Sequence, residues 1–185
     1  MKKIGIFCSA CTDIPQHYID CTLQLGEWIG QTGRTLVYGG ADMGLMECIA
    51  RTAKEHGGTI IGVVPTKLEE RGRVSNLPHT LIHTSDLSER KDAIVRESDI
   101  LVALPGGVGT LDEVFHVIAA ATIGYHSKRI IFYNIDGFWD NLIHMLDTMK
   151  EQGFIRKPFA EQFTVVSTFE EIKKSLTKQN DLPGE

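Results

Sequence analysis

The chain has 185 residues and a mass of 20.5 kDa, the length of one compact domain. Its formal net charge is −5, so nonspecific binding to nucleic acid or to an anionic membrane is not its expected function. No apolar run reaches the roughly 18 residues of a membrane span, and the first residues lead into a strand-like segment, not a signal peptide. We therefore expect a soluble cytoplasmic protein with a single domain over residues 1–178 and a frayed tail at 179–185.

Short apolar runs that are continuous, not alternating, predict strands buried on both faces, and segments of helical period lie between them. In chain order we predict strand Ile4–Phe7, helix Tyr18–Gln31, strand Leu36–Tyr38, helix Leu45–His56, strand Thr59–Val64, a short strand Thr80–His83, helix Leu87–Glu97, strand Ile100–Leu104, helix Leu111–Ile123, strand Ile130–Tyr133, helix Trp139–Gln152, strand Phe163–Val166 and helix Phe169–Thr177. Gly33, Gly57 and Gly153 fall where helices should end.

This regular alternation of strand and helix predicts βαβ units. The expected fold class is α/β, a doubly wound, Rossmann-like parallel sheet of about six or seven strands with helices on both faces. The segment Lys67–Pro78 interrupts the alternation with a charged, loop-like stretch. It is either a functional loop or an ordinary charged surface loop.

Two glycine-rich turns follow predicted strands, at Tyr38–Met46 (YGGADMGLM) and at Leu104–Glu113 (LPGGVGTLDE). In parallel α/β sheets, ligands bind beyond the carboxyl ends of the strands, where helix N-termini present N–H groups to anions. Glycines such as Gly40 and Gly44 let the backbone approach a ligand closely. Neither turn has the lysine of a P-loop, and the first strand-to-helix turn, Cys8–Asp13, lacks a dinucleotide fingerprint. The turns therefore favour a nucleoside monophosphate or a sugar phosphate.

Glu113 has two interpretations. Thr110 and Glu113 have the T-x-x-E spacing of a capping box, in which the threonine caps a helix and the glutamate reaches back to it. Capping alone would explain both residues. However, Asp112 and Glu113 add negative charge beside a predicted anion site. A carboxylate there is better explained if it acts on a developing cation or on a water molecule.

Arg90 and Lys91 follow a second cap-like pattern, the D-x-x-E spacing of Asp86 and Glu89. This pattern places both cations in the first or second turn of a helix, facing the positive end of its dipole. A cation in that position destabilises the helix by about 0.3 kcal/mol or more, unless an anion lies between the cation and the helix N-terminus. A surface pair is the alternative, but together with the glycine turns a phosphate partner is the better hypothesis.

The remaining candidates carry weaker signals. Cys8 and Cys11 have CxxC spacing, which allows a redox pair, a zinc ligand pair or buried or loop thiols, the last being favoured because the pair does not begin a helix. His79 and His83 would share one side of a strand but lack a third ligand, so no metal site is expected. Ser9 lies in the first turn and either contacts ligand or serves as a turn residue.

With these motifs the chain resembles the Lonely Guy family, the cytokinin-activating nucleoside 5′-monophosphate phosphoribohydrolases that often carry a lysine decarboxylase label. The most specific matches are Pro105–Glu113, which fits P-G-G-x-G-T-x-x-E, and Glu89–Lys91, which contains an R-K pair. The similarity covers nearly the whole chain. Departures from the family pattern occur at Cys8–Cys11, at Ala41-Asp42, at Leu87 and in Lys67–Pro78.

The resemblance implies hydrolysis of an N-glycosidic bond, which releases an adenine-type base and ribose 5-phosphate. It makes Arg90 and Glu113 the essential residues, and we expect Lys91 to be a second anion contact. It further implies a homodimer that binds a nucleoside monophosphate and uses no cofactor. The turn that it assigns to the 5′-phosphate contains Gly106, Gly107, Gly109 and Thr110.

A rival hypothesis is a carrier that binds a nucleotide or the molybdenum cofactor without catalysis, since it would use the same glycine turns. It predicts tight binding and no base release. Lysine decarboxylation is disfavoured, because a pyridoxal phosphate enzyme needs a Schiff-base lysine and no lysine here has a context that marks that role.

Overall fold

The computed structural model describes residues 2–155 and 162–178. In chain order their elements are β1 (Lys3–Phe7), α1 (Gln16–Gln31), β2 (Thr35–Tyr38), α2 (Gly44–Glu55), β3 (Thr59–Pro65), α3 (Thr66–Glu70), β4 (Thr80–Thr84), α4 (Leu87–Glu97), β5 (Ile100–Ala103), α5 (Val108–Thr122), β6 (Ile130–Tyr133), a 3₁₀ turn (Ile135–Gly137), α6 (Asp140–Glu151), β7 (Phe163–Val166) and α7 (Phe169–Lys178). Every predicted strand forms within one residue of its expected ends. The predicted tail at 179–185 lies outside the described residues.

The seven strands form one sheet in the order β4-β3-β2-β1-β5-β6-β7, and every pairing is parallel. The chain moves outward from β1 to β4 and then returns to place β5 on the other side of β1. This reversal leaves a crevice beyond the carboxyl ends of β1 and β5, where doubly wound proteins bind ligands. The predicted fold class is confirmed.

A separate apolar core covers each face of the sheet. On one face, helices α1, α2 and α7 bury residues that include Leu25, Ile49 and Leu176. On the other face, α4 and α5 bury residues that include Ile94 and Val117. The strands contribute side chains to both cores, which explains why their sequences are continuous apolar runs. Burial on both faces fixes the strand ends, and with them the turns that follow.

Three helices end as predicted. Gly33, Gly57 and Gly153 follow α1, α2 and α6, and each has a positive φ, which a residue with a Cβ rarely adopts. The longest helix among the described residues, α1, has 16 residues. Among residues 2–155 and 162–178, no helix has the length and apolar character needed to cross a membrane.

The expected loop Lys67–Pro78 contains more structure than predicted. It begins inside the short helix α3, and its later part folds back onto the glycine turn that follows β2. The N–H of Ser75 donates to the carbonyl of Gly40 at 2.9 Å, and the hydroxyl of Ser75 donates to Glu47 at 2.7 Å. Loop propensity cannot reveal these contacts, because the partners lie in a distant part of the chain.

Candidate active site

Backbone hydrogen bonds tie together the carboxyl ends of β1, β2 and β5. Ser9 donates its N–H to the carbonyl of Pro105 at 3.1 Å, and its own carbonyl accepts from the N–H of Leu45 at 2.9 Å. Its hydroxyl accepts from the N–H of Cys11 at 3.0 Å. Ser9 therefore serves as a turn residue that brings both glycine turns to one crevice, while its contact with a ligand stays a prediction.

Packing explains the glycines of the first turn. Gly40 and Gly44 both have positive φ values, of 69° and 57°. A Cβ on Gly40 would overlap the side chain of Val64, and one on Gly44 would lie 2.5 Å from the carbonyl oxygen of Cys11. The protein itself therefore requires glycine at both positions, whether or not a ligand approaches.

Packing does not explain all the glycines of the second turn. A Cβ on Gly106 would overlap Thr110, but a Cβ on Gly107 or Gly109 would meet no atom within 4 Å. Neither Gly107 nor Gly109 has a positive φ. Packing therefore does not require glycine at these two positions, and close approach of a ligand is one physical reason for it.

The N-terminus of α5 differs from that of α4. Helix α5 begins at Val108 with Gly107 as its N-cap residue; no side chain caps it, and its first turn has no acidic residue. In α4, by contrast, Asp86 accepts hydrogen bonds from the N–H groups of Ser88 and Glu89, as its spacing predicted. Of the two helices, α5 is the one whose first N–H groups remain available to an anion.

The capping-box interpretation of Thr110 and Glu113 is wrong. Because α5 begins at Val108, Thr110 lies inside the first turn and cannot act as the N-cap residue. Its side chain is buried against Gly106. Glu113 does not reach back to the start of the helix. Its carboxylate turns inward and accepts a hydrogen bond from Arg90.

Arg90 makes three hydrogen bonds to the protein and is only 9% exposed. Its Nη1 donates to Glu113 Oε1 at 2.8 Å, and its Nε donates to the carbonyl of Val63 at 3.2 Å. Its Nη2 donates to the carbonyl of Gly39, also at 3.2 Å. A guanidinium suits this place because it is planar, permanently charged and donates in fixed directions. Arg90 thus orients the Glu113 carboxylate, while a direct contact with phosphate stays a prediction.

Gly39 is a site residue that the sequence analysis missed. A Cβ at this position would overlap Nη2 of Arg90, so only glycine lets the guanidinium reach the carbonyl beneath it. The doubled glycine at the end of β2 was the signal that could have revealed this contact.

Burial raises the pKa of the Glu113 carboxyl group to about 7, because the loss of solvation outweighs the stabilisation of the carboxylate by Arg90. Asp112 raises this pKa further, and Lys91 lowers it. The Glu113 side chain is 5% exposed. This shift brings the pKa of the carboxyl group toward neutral pH, which suits a group that gives or takes a proton.

We expect Glu113 to make folding stability depend on pH. Its ordinary pKa is 4.5 and its folded-state pKa is about 7, so the folded state binds the proton more tightly. The stabilisation is complete below about pH 4.5 and is lost as the pH rises through about 7, a change of roughly 3 kcal/mol. Urea unfolding at several pH values measures it. The Glu113→Gln variant should lack this loss, and equal pH dependence in both proteins would contradict the assignment.

Lys91 is engaged with the second carboxylate. Its Nζ lies 2.8 Å from each carboxylate oxygen of Asp112. The negative charge expected near Arg90 and Lys91 therefore comes, in this structure, from two side chains of α5. A contact between Lys91 and the substrate stays a prediction.

The cysteines and histidines are not joined into a site. Cys8 is buried and Cys11 is exposed, and both thiols are free. Burial raises the pKa of the Cys8 thiol, whereas a redox-active thiol needs a lowered one. His79 accepts a hydrogen bond from the backbone of β3, while His83 pairs with Glu69. Within the described residues no group of side chains could hold a metal ion.

The parallel sheet, its glycine turns and the uncapped start of α5 define a Rossmann-like α/β protein with a crevice at the carboxyl ends of β1 and β5. Residues 46–176 match the family model described as "Possible lysine decarboxylase". The chain is 31% identical over 175 residues to the cytokinin riboside 5′-monophosphate phosphoribohydrolase LOG5 of Arabidopsis thaliana, covering 95% of this chain and 77% of the relative. It is 36% identical over 154 residues to the probable cytokinin riboside 5′-monophosphate phosphoribohydrolase LOGL9 of Oryza sativa subsp. japonica. This match covers 83% of this chain and 68% of the relative. The chain therefore belongs to the family of these phosphoribohydrolases, the Lonely Guy family.

Solved structures share the fold at lower identity. The molybdenum cofactor binding protein from Rippkaea orientalis matches with a TM-score of 0.73 and 22% identity over 97% of each chain. The molybdenum cofactor carrier protein of Chlamydomonas reinhardtii also matches with a TM-score of 0.73, at 23% identity over 98% of this chain and 99% of that chain. These matches show the fold alone.

The lysine decarboxylase description does not fit the residues at the crevice. Decarboxylation with pyridoxal phosphate requires a lysine that is free to form a Schiff base. Lys91, which follows Arg90 on α4, is held by both oxygens of Asp112. The curated relatives are instead named as phosphoribohydrolases, which are hydrolases.

Proposed function

We propose that this protein hydrolyses the N-glycosidic bond of a purine nucleoside 5′-monophosphate, either AMP or an N6-modified AMP, to the free base and ribose 5-phosphate. The observation that carries the proposal is the buried Arg90–Glu113 pair beside the uncapped start of α5. Family membership supports the same reaction, because the curated relatives are named for it.

The 5′-phosphate binds at the start of α5 in this proposal. Three features support that position: the uncapped N–H groups, the dipole of α5, and the open space around Gly107 and Gly109. Gly106 and Thr110 complete the turn. Across the crevice, Ser9, Gly40 and Gly44 form the opposing wall, and Lys91 adds positive charge.

Glu113 assists the breaking of the bond between C1′ and the base. As this bond breaks, its electron pair moves to the base and positive charge develops on the ribose ring. The ionised Glu113 carboxylate stabilises that charge and takes one proton from the water whose oxygen bonds to C1′. The departing base takes up a proton from solvent, and Glu113 later returns its own. The sum is water plus nucleotide giving base plus ribose 5-phosphate.

Arg90 acts on Glu113 and on the charge of the bound nucleotide. A guanidinium is a poor proton donor near neutral pH, so its role is electrostatic. Its bond to Oε1 fixes the direction of the carboxylate, and its charge lowers the pKa of Glu113, which burial alone would raise further.

Comparing AMP with adenosine tests the phosphate site. The proposal predicts release of adenine from AMP and little or none from adenosine, which lacks the group that α5 holds. Equal rates of adenine release from both compounds would contradict phosphate binding at this turn.

We expect Gly109→Ala to keep the fold and weaken substrate binding. The new methyl group meets no atom of the protein, and alanine is favoured over glycine in a helix by about 1 kcal/mol, so the melting temperature should not fall. The methyl group would instead displace the phosphate, raising KM for AMP by about tenfold to a hundredfold. Steady-state kinetics with thermal unfolding as the control measures both effects. A KM equal to that of the unmodified protein would remove Gly109 from the site.

We also propose that two copies of the chain associate through α4 and α5. The outer surfaces of these helices border a groove of about 710 Å³. At its edge, Ile123 and Tyr125 are 73% and 81% exposed, and grouped apolar residues of this kind mark interaction surfaces. Sedimentation should give about twice the mass of 20.5 kDa, and Ile123→Asp should shift the protein toward the monomer. A monomeric unmodified protein would contradict this dimer.

The carrier hypothesis remains the second candidate function. Its support is the shared fold of the molybdenum cofactor proteins, at identities that carry the fold alone. It does not explain why a buried carboxyl group is paired with a buried arginine beside the start of α5. We therefore favour the hydrolase.

A further inference from the structure

Residues 73–77 lie against the glycine turn that follows β2, and we name them the 73–77 strap. Val74 forms an isolated antiparallel bridge with Ala41 of that turn. Beside the bridge, the N–H of Ser75 donates to the carbonyl of Gly40 at 2.9 Å. The strap therefore pairs with the turn through backbone hydrogen bonds, as a short extra strand would.

The side chain of Ser75 anchors the strap to α2. Ser75 is only 3% exposed, and its hydroxyl donates to Oε2 of Glu47 at 2.7 Å. The same hydroxyl accepts from the N–H of Leu77 at 3.2 Å. Because the Glu47 side chain is 15% exposed, this charged hydrogen bond is largely shielded from water and is stronger than a surface bond would be. Glu47 belongs to the first turn of α2, so the bond ties the strap to a helix that packs in the core.

The strap lies next to the carbonyl that holds Arg90. The carbonyl of Gly39 accepts from Nη2 of Arg90 at 3.2 Å, and the carbonyl of the adjacent Gly40 accepts from Ser75 of the strap. Two consecutive glycines have the greatest backbone freedom, and they have no side chains through which packing could fix them. Hydrogen bonds from other parts of the chain must therefore set the direction of these carbonyls, and the bond from Ser75 is one of them.

We propose that Ser75 and Glu47 are positioning residues of the active site. Through the 73–77 strap they fix the backbone of Gly39 and Gly40. That backbone fixes the guanidinium of Arg90, which orients the carboxylate that it binds on α5. The inference rests on the proposed function, and it extends the active site to two residues that take no part in the reaction itself.

The first test compares two variants of Glu47. Glu47→Gln keeps an oxygen that can accept from Ser75, whereas Glu47→Met has a similar length and no such acceptor. Both remove the negative charge from the first turn of α2, so this loss is common to them. We expect kcat for AMP to fall about tenfold in Glu47→Met, since a misplacement of about 1 Å can cost on the order of 10²-fold. KM should change by less than about threefold, because the proposed phosphate site at α5 is left intact, and Glu47→Gln should keep kcat within about threefold.

Arg51→Met is the matched control. Arg51 pairs with the other oxygen of the Glu47 carboxylate at 3.2 Å, and its side chain is 59% exposed. The variant removes a partner of Glu47 and keeps the bond to Ser75, so kcat should stay within about twofold of the unmodified protein. Ser75→Ala removes the hydroxyl at the other end of the bond and should reproduce the result of Glu47→Met. Thermal unfolding of each variant shows whether it is folded at the assay temperature.

A pH profile shows whether the effect reaches Glu113. Arg90 lowers the pKa of Glu113. A displaced guanidinium lets this pKa rise, so the increase of kcat with pH should move upward by about 0.5 pH unit or more. Lys91, Asp112 and Cys8 also act electrostatically with Glu113, and every variant here keeps them. A variant that is only less stable keeps the profile of the unmodified protein.

The outcomes separate this inference from the proposed function. Unchanged kcat and pH profile in Glu47→Met and Ser75→Ala would overturn the positioning role and leave the hydrolysis intact. Equal losses in Glu47→Gln and Glu47→Met, or a loss in Arg51→Met, would overturn it too. No base release by the unmodified protein would refute the hydrolysis. Urea unfolding across pH then decides the positioning role by itself: the loss of stability with rising pH should extend to higher pH in Ser75→Ala, and an unchanged pH dependence would overturn the role.

Discussion

Glu113→Gln should reduce base release by about 10²–10⁴-fold while nucleotide binding is kept. Glutamine has the size of glutamate, and its amide oxygen can still accept the hydrogen bond from Arg90. The variant cannot ionise, so it neither stabilises positive charge on the ribose nor takes a proton from water. Base release measured by chromatography, with nucleotide binding measured separately, tests the two parts of this expectation.

Asp112→Asn is the matched control, because it removes the same charge from the neighbouring residue. The Asp112 side chain is 52% exposed and pairs with the ammonium group of Lys91. We expect this variant to retain activity within about tenfold of the unmodified protein, because exposed pairs contribute about 1 kcal/mol or less. Equal losses in both variants, or full activity in Glu113→Gln, would contradict the assignment of Glu113.

Arg90→Met should destabilise the protein by about 3–5 kcal/mol. It leaves Glu113 buried without its cation, and it leaves the carbonyls of Gly39 and Val63 without their donor. The loss is a large part of the roughly 5–15 kcal/mol that stabilises a typical domain. Without Arg90 the pKa of Glu113 rises further, so the variant should also lose activity. Urea unfolding measures the destabilisation.

A double-mutant cycle shows whether Arg90 and Glu113 act together. Removing both charges, as Arg90→Met with Glu113→Gln, should cost less than the sum of the single changes, because neither charge is then buried alone. Lys91→Met is the comparison, and it should cost about 1 kcal/mol or less, since its partner Asp112 is half exposed. Strict additivity in the Arg90–Glu113 cycle would contradict an energetically coupled pair.

The fold could be predicted from the sequence because its determinants are local or periodic. Continuous apolar runs mark strands that are buried on both faces, and glycines with positive φ mark helix ends such as Gly33 and Gly57. The cap at Asp86 was also predictable, since it involves N–H groups only two and three residues away. The predicted elements therefore agree with the structure to within a few residues.

The interior of the site could not be predicted in the same way. Glu113 fits a local capping rule, but its actual partner, Arg90, lies 23 residues earlier in the chain. Only the fold shows that these two residues meet, because their contact joins α4 to α5. The same limitation hid Gly39, whose role depends on a guanidinium from α4.

The most direct test of the account is incubation of the purified protein, without added cofactor, with AMP and with N6-isopentenyl-AMP, followed by chromatography of the products. We predict free base and ribose 5-phosphate in equal amounts with the unmodified protein, and formation of both at least about a hundredfold slower with Glu113→Gln. The rates with the two nucleotides would rank these substrates. Nucleotides that bind and are recovered intact would contradict the hydrolase and favour a carrier.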